Sequence, residues 1–319
     1  MAAALDQFVL VPENPLPAGG SCCVVQTADE RGIRVAIWVP QDAGSGTVCI
    51  FPGRSEFIEK YFEVVKDLQD RGLAVAAIDW RGQGGSEREL SDPRKGHIDD
   101  FAFYLKDIDA LFKHLEAAKA PKPWFGLAHS MGGAIMLLSA SRGERRLARM
   151  VLTAPMIGLH SVPLAGFAVR LVSALNLLGL GGRYLPRAGR STPSMFAPFE
   201  GNALTSDPVR YARAAAVLIK GGDLGIGAPT VGWITAAFRL MAAMQEPEFG
   251  LEMRIPTMIV AAGADTVVAT PAIETIAGQM RGVQAIVIPG ARHEILLERD
   301  VFRSQFWAAF DAFIPGKSV

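Results

Sequence analysis

The segment Trp124-Phe125-Gly126-Leu127-Ala128-His129-Ser130-Met131-Gly132-Gly133, followed by the apolar run Ala134 to Leu138, constrains this chain more than any other. It reads as a short buried strand, a sharp turn with a serine at its apex, and a helix opened by two glycines. Such an arrangement lifts a hydroxyl above a sheet edge. Ala128 and Gly132 lie two positions before and after Ser130 and leave room for strand and helix to cross closely. The pattern is Ala-x-Ser-x-Gly, one glycine short of the Gly-x-Ser-x-Gly elbow. Taken alone, the same residues also suit an ordinary helix start with Ser130 as N-cap.

The rest of the chain supplies a setting for that turn. Short apolar runs alternate with helical patterns, the signature of βαβ units and a largely parallel sheet flanked by helices. Strands are expected at Gly32 to Pro40, Thr47 to Phe51, Leu73 to Asp79, Trp124 to Leu127, Met150 to Thr153, Thr257 to Ala262 and Ala285 to Ile288. Helices are expected at Phe57 to Gln69, Phe101 to Ala118, after Ser130, and at Val301 to Phe313. From Met156 to about Met244 the strand alternation stops. Helical patterns there are broken by glycine and proline clusters, so residues 156–244 read as an inserted helical cap on a core made of residues 1–155 and 245–319. An insertion at the carboxyl edge of a parallel sheet covers the place where open α/β folds bind ligands.

Composition excludes several partners. The 319 residues carry 32 basic and 32 acidic side chains, with no Lys/Arg run or zinc-ligand spacing, so nucleic acid is not expected as a partner. Nothing in the chain calls for a metal or organic cofactor. Cys22, Cys23 and Cys49 are odd in number and read as free, buried thiols in a reducing compartment. Residues 1–16 lack a basic region ahead of an apolar core, so a cytoplasmic protein is expected, with peripheral membrane contact through the cap left open. The uncharged stretch Met150 to Val169 is long enough to raise the question of a membrane span; its prolines and glycines argue against one.

Two further residues give the serine chemical meaning. The strand Thr257 to Ala262 runs into Gly263-Ala264-Asp265, and the strand Ala285 to Ile288 runs into Pro289-Gly290-Ala291-Arg292-His293. The order Ser130, Asp265, His293 is that of the α/β-hydrolases, with the cap filling the long gap between serine and aspartate. Asp207 and Asp223 compete for the acidic place but fall in the cap beside turn residues. His97, His114, His129 and His160 lack a loop after a late strand. In this reading His293 takes the Ser130 proton and Asp265 fixes the imidazole tautomer. The backbone N–H of Met131 and of Arg54, in the loop Phe51-Pro52-Gly53-Arg54-Ser55-Glu56, form the oxyanion hole; Pro52 has no N–H to give.

Together, Pro52-Gly53-Arg54-Ser55-Glu56-Phe57-Ile58-Glu59-Lys60-Tyr61, Asp79-Trp80-Arg81-Gly82-Gln83-Gly84-Gly85-Ser86, Ala128-His129-Ser130-Met131-Gly132-Gly133 and Gly290-Ala291-Arg292-His293-Glu294 resemble the monoglyceride lipase and bacterial lysophospholipase group of α/β-hydrolases. The motifs span about residues 50 to 300. Where the family usually has His-Gly in the first loop and glycine at the start of the elbow, this chain has Pro52 and Ala128. The first exchange removes a side chain that could organise the oxyanion loop. The resemblance also assigns Asp79 to Ser86 to a strand-to-helix turn near the site.

The expected function is therefore serine hydrolysis of a carboxylic ester with a medium or long acyl chain, monoacylglycerol or lysophospholipid. Phe167 and Leu171, in the apolar stretch Val162 to Leu180, are the expected acyl contacts; alternatively that stretch only packs the cap onto the core. Arg54 and Arg81 could steer a phosphate or glycerol headgroup, or could simply be solvated. Two other functions stay open: esterase or acyltransferase action on a small non-lipid ester, and a catalytically silent scaffold binding a lipid or protein partner.

Overall fold

The computed structural model describes residues 6–40, 44–160, 166–185 and 198–315, with the side chains of Phe167 and Ala168 outside the description. Among the described residues eight strands form one sheet in the order β1-β2-β4-β3-β5-β6-β7-β8. They are β1 Gly20–Gln26, β2 Gly32–Trp38, β3 Thr47–Phe51, β4 Ala74–Ile78, β5 Trp124–His129, β6 Leu147–Thr153, β7 Thr257–Ala262 and β8 Val283–Ile288. β2 runs antiparallel to both β1 and β4, and every other pairing is parallel. β3, β4, β5 and β7 are buried along their whole length, which explains why they read as unbroken apolar runs rather than as alternation.

Alternate residues of the strands feed two cores. Cys49, Phe51, Ala76 and Ile78 face α2 (Phe103–Ala117) and α3 (Met131–Ser141), together with α6 (Val231–Ala243) and α7 (Thr270–Gln279). Val48, Ile50, Val75 and Ala77 face α1 (Phe62–Asp70) and α8 (Asp300–Phe313). α3 is buried from Met131 to Ala140, matching its uniformly apolar sequence. The structure thus has the expected α/β-hydrolase architecture.

Three elements depart from the sequence expectation. β1 went unanticipated, because as an edge strand it is only half-buried and shows no clean alternation. α7 also lacked a clear signal. The helix expected from Phe57 is instead a 3₁₀ turn, Ile58–Tyr61, followed by α1. Its Ile58 N–H donates to Asp79 Oδ1 at 2.9 Å, and its Glu59 binds Arg34, so the turn is shaped by buried partners rather than by helical periodicity.

Between β6 and β7 lie α4 (Phe167–Leu175), which widens into a π turn at Asn176–Leu180, α5 (Pro208–Lys220) and α6. α6 contributes Trp233, Ala236, Ala237 and Met241 to the same core as α3, so the segment between β6 and β7 is rooted in the central layer. Of the stretch Met150 to Val169, residues 150–153 belong to β6 and 167–169 to α4, and residues 161–165 lie outside the described residues. No described helix is long and apolar enough to cross a membrane. The three thiols form no disulfide; Cys49 is buried as expected, whereas Cys22 and Cys23, on the edge strand β1, are only half-buried, and burial raises all three, Cys22 up to about 12.

α3 crosses the end of β3 so closely that a Cβ on Gly132 would lie 2.2 Å from the Phe51 carbonyl oxygen and 2.5 Å from that of Pro52. Neither is a flexible side chain. Gly132→Ala is therefore expected to destabilise the protein by at least about 2 kcal/mol in urea unfolding, whereas Gly222→Ala, with open space around its Cα, should fall within about 0.5 kcal/mol of wild type.

Candidate active site

Three loops at the carboxyl edge of the sheet bring the predicted residues together. Ser130 follows β5 directly and adopts φ 49°, ψ −114°, a left-handed conformation costly for a side chain with a Cβ. Two hydrogen bonds hold it: Ser130 N–H donates to Thr153 O at 3.0 Å, and Met156 N–H donates to Ser130 O at 3.0 Å. Its hydroxyl makes no N-cap bond to α3 and lies instead 2.9 Å from His293 Nε2. The ordinary helix-cap reading of this serine is thereby excluded.

His293 Nδ1 lies 2.8 Å from Asp265 Oδ2, while Asp265 Oδ1 accepts the N–H groups of Val267 and Val268 at 2.7 and 3.0 Å. Burial works against the Asp265 charge, but the His293 bond and these N–H groups more than offset it, so the carboxyl titrates below its ordinary range. An ionised carboxylate only accepts, so Nδ1 carries the imidazole proton and Nε2 is left to accept from the Ser130 hydroxyl. The two partner loops are also bonded to each other: Gly263 N–H donates to Ile288 O, and Ala264 N–H to Ala291 O, each at 2.9 Å.

Ser130 and His293 open onto a cavity of about 210 Å³, also lined by Gly53, Arg54, Met131, Trp233, Leu204 and Val268. Among the described residues no protein acceptor takes the N–H of Arg54 or of Met131. The neighbouring Gly53 N–H, in contrast, is occupied by Glu56 Oε2. The volume is below the roughly 300–1,000 Å³ of ligand pockets, so a long acyl chain needs the surrounding walls to shift or must extend beyond the cavity. Leu171 does not line this cavity: it is 47 % exposed on α4. The Phe167 side chain lies outside the described residues.

The oxyanion-loop scaffold is where sequence reasoning was least complete. Pro52 has no hydrogen-bonding side chain with which to organise the loop, and the Asp79–Ser86 segment does so instead. Trp80 Nε1 donates to Pro52 O at 2.7 Å, Gln83 Nε2 donates to Gly53 O at 2.7 Å, and Ser55 N–H donates to Gln83 Oε1 at 3.3 Å. Asp79 anchors this segment, accepting from Gly85 N–H and from Arg34, whose guanidinium also binds Glu59 and is fully buried. A second buried chain joins the two sides of the site: Lys60 Nζ donates to Glu56 at 2.7 Å and to Glu294, next to His293, at 2.6 Å. A pattern of charges adjacent to motif residues was the only sequence signal for either network.

The competing residues have other tasks. Asp207 caps α5 through the N–H groups of Val209 and Arg210, and Asp223 sits in a short 3₁₀ turn. Arg81 is buried against Asp29 and Asp107, which removes it as a headgroup ligand. His97 lies 2.8 Å from Thr230, His114 lies near Cys23, and His160 is exposed. His129 packs on His293 with ring centroids 4.8 Å apart, and its Nδ1–H donates to Thr153 at 3.1 Å.

Comparison with known proteins places this architecture. Residues 42–300 match the model of the family described as serine aminopeptidase, S33. The chain belongs to that family. It is 34 % identical over 268 residues to lysophospholipase L2 of Escherichia coli K12, covering 81 % of this chain and 76 % of that protein. It is 26 % identical over 272 residues to the monoacylglycerol lipase of Mycolicibacterium smegmatis, covering 84 % and 88 %. A crystal structure of a soluble variant of Saccharomyces cerevisiae monoglyceride lipase with a substrate analog superposes with a TM-score of 0.71 at 18 % identity, covering 94 % of this chain and 98 % of that one, a likeness of fold.

Burial pushes the His129 imidazole down to about 4, despite the nearby Glu56 charge, so it stays neutral beside His293. The unfolded chain protonates it near 6.5, so its contribution to stability is complete above that pH and fades as pH falls towards about 4. Between pH about 7.5 and about 4.5, wild type should lose about 2–3 kcal/mol more unfolding free energy than His129→Gln, measured by urea denaturation.

Proposed function

We propose that this member of the family hydrolyses carboxylic esters of medium or long acyl chains, with monoacylglycerol or lysophospholipid as substrate, through an acyl-enzyme on Ser130. The observation that carries this is the His293 imidazole, bonded at once to Ser130 and Asp265 beside two unoccupied N–H groups. In the first half-reaction Ser130 Oγ attacks the acyl carbonyl carbon while its proton passes to His293 Nε2. Asp265 stabilises the imidazolium, and the N–H groups of Met131 and Arg54 bind the tetrahedral oxyanion. Collapse breaks the bond to the alcohol oxygen, which leaves with the His293 proton. Water, deprotonated by His293, then attacks the acyl-enzyme and frees Ser130.

The neutral state of His129 suits this cycle, since a second cation beside His293 would oppose formation of the imidazolium. The lipid part of the reading draws on the relatives named lysophospholipase and monoacylglycerol lipase and on the apolar lining of Met131, Met156, Leu159, Leu204, Trp233 and Val268. Residues 156–244 act as the lid in this account, with Leu204 and Trp233 supplying part of the cavity wall. A fluorophosphonate probe should label wild type at Ser130 and leave Ser130→Ala unlabelled. Asp265→Asn should lower kcat on monopalmitoylglycerol by roughly a thousandfold or more. Equal labelling of wild type and Ser130→Ala would sink the enzyme reading.

We further place the protein in the cytoplasm, touching the membrane surface through α4 and the turn after it. Leu177 and Leu178 are 88 % and 76 % exposed and adjoin the half-exposed Leu171, with no charge between Arg170 and Arg183. Exposed leucines grouped on an apolar turn gain from burial at a lipid interface. In co-sedimentation with phosphatidylcholine vesicles, the double variant L177D/L178D should lose most of the bound fraction; binding equal to wild type removes this surface from the account.

A further inference from the structure

Resting on that reading, we infer that the Arg54 side chain recognises the phosphate of a lysophospholipid, and so sets a preference for phosphate-bearing over neutral glyceryl esters. Arg54 lines the cavity beside Ser130, and among the described residues no carboxylate lies within salt-bridge distance of its guanidinium. That is unusual within this site, where Arg34, Lys60 and Arg81 are each paired with two acidic side chains. Two of its donor nitrogens are in use, Nη2 donating to Gly227 O at 2.7 Å and Nη1 to Ser55 Oγ at 3.0 Å, and both acceptors are uncharged. The remaining nitrogen, Nε, is buried and has no partner.

Two more donors nearby are in the same condition. Arg94 Nη1 and the Tyr184 hydroxyl are buried without an acceptor, and both guanidiniums are close enough to hold down a Tyr184 pKa that burial raises. Asp92 adjoins this corner; its carboxylate accepts the Arg94 backbone N–H at 3.1 Å. Arg94, Tyr184 and Asp92 do not line the cavity themselves, so a cavity ligand meets the Arg54 side chain and not this corner. A buried guanidinium without a counter-charge is costly, and an incoming phosphate oxygen would satisfy it with a charge-assisted hydrogen bond.

The fold holds Arg54 in place for this. Its guanidinium carbon lies 5.1 Å from the Trp233 ring centroid, and Gly96 approaches so closely that a Cβ there would meet Nη2 at 2.9 Å. Covalent reach also matches the chemistry. In the proposed mechanism the Arg54 N–H binds the ester carbonyl oxygen. From that nitrogen to the guanidinium carbon there are as many bonds as from the acyl carbonyl carbon to the phosphorus of a lysophospholipid. One residue thus addresses the reacting carbonyl through its main chain and the headgroup through its side chain.

The test compares kcat/KM for palmitoyl lysophosphatidylcholine and monopalmitoylglycerol in wild type, Arg54→Gln and Arg54→Lys. Whatever loss the two substrates share, the lysophospholipid-to-monoacylglycerol ratio should fall roughly tenfold to a hundredfold in Arg54→Gln and less in Arg54→Lys. An unchanged ratio overturns the inference. A second arm needs no lipid turnover: sn-glycerol 3-phosphate, but not glycerol, should slow fluorophosphonate labelling of Ser130 in wild type, and Arg54→Lys should require at least tenfold more. Equal effects of glycerol and glycerol 3-phosphate on wild type overturn it. Protection by inorganic phosphate together with an unchanged lipid ratio overturns it in favour of a free-anion site. Should wild type be labelled yet cleave neither lipid, the substrate reading fails, and the protection arm alone decides the role of Arg54.

Discussion

The contact on which the rest of this structure depends is the crossing of α3 over the end of β3 at Gly132. Because no Cβ stands between that helix and the carbonyls of Phe51 and Pro52, the helix N-terminus reaches the loop that follows β3. The N–H of Met131 and the N–H of Arg54 then belong to one small space. Directly before that helix Ser130 holds a positive-φ conformation, and its hydroxyl meets His293 rather than the helix. Strain at one residue is offset by hydrogen bonds to Thr153 and Met156, and keeps the hydroxyl clear of the helix.

Around that crossing the protein spends an uncommon number of buried charges on position. Arg34, Glu59 and Asp79 knit β2, β4 and the turn before α1, while Glu56, Lys60 and Glu294 tie the oxyanion loop to the loop carrying His293. Buried ion pairs contribute little net stability unless fully bonded, and their clearest use is to specify one geometry. Each of these carboxylates has its partners. Arg54, beside Ser130, differs from them: its two bonded acceptors are uncharged and its Nε has none among the described residues.

The departures at Pro52 and Ala128 show how a motif can change while its geometry persists. Ala128 is buried in β5, and its methyl is taken up by the core on the face of α3. At Pro52 the carbonyl, not a side chain, is the point of attachment, gripped by Trp80 while Gln83 grips Gly53. The Asp79–Ser86 segment therefore does more than turn the chain: it replaces the bracing that a side chain at position 52 would supply.

Most of the core architecture and all three members of the Ser130–Asp265–His293 constellation were legible in the sequence. Buried parallel strands must be apolar runs, an elbow must have small neighbours, and catalytic loops must leave strand ends. β1, α7 and the 3₁₀ turn at Ile58–Tyr61 were not, because an edge strand is only half-buried and the turn obeys long-range partners rather than periodicity. Leu171 shows the same limit: an apolar helix announces that it has a buried face but not which residues turn outward. By itself, then, the sequence determined the fold class, the order of the site residues and the family resemblance, since these follow from local pattern. Only the tertiary structure decided which arginines meet carboxylates and which meets only uncharged acceptors, and what braces the loop after β3. Those outcomes rest on distances between residues far apart in the chain, and no local pattern encodes them.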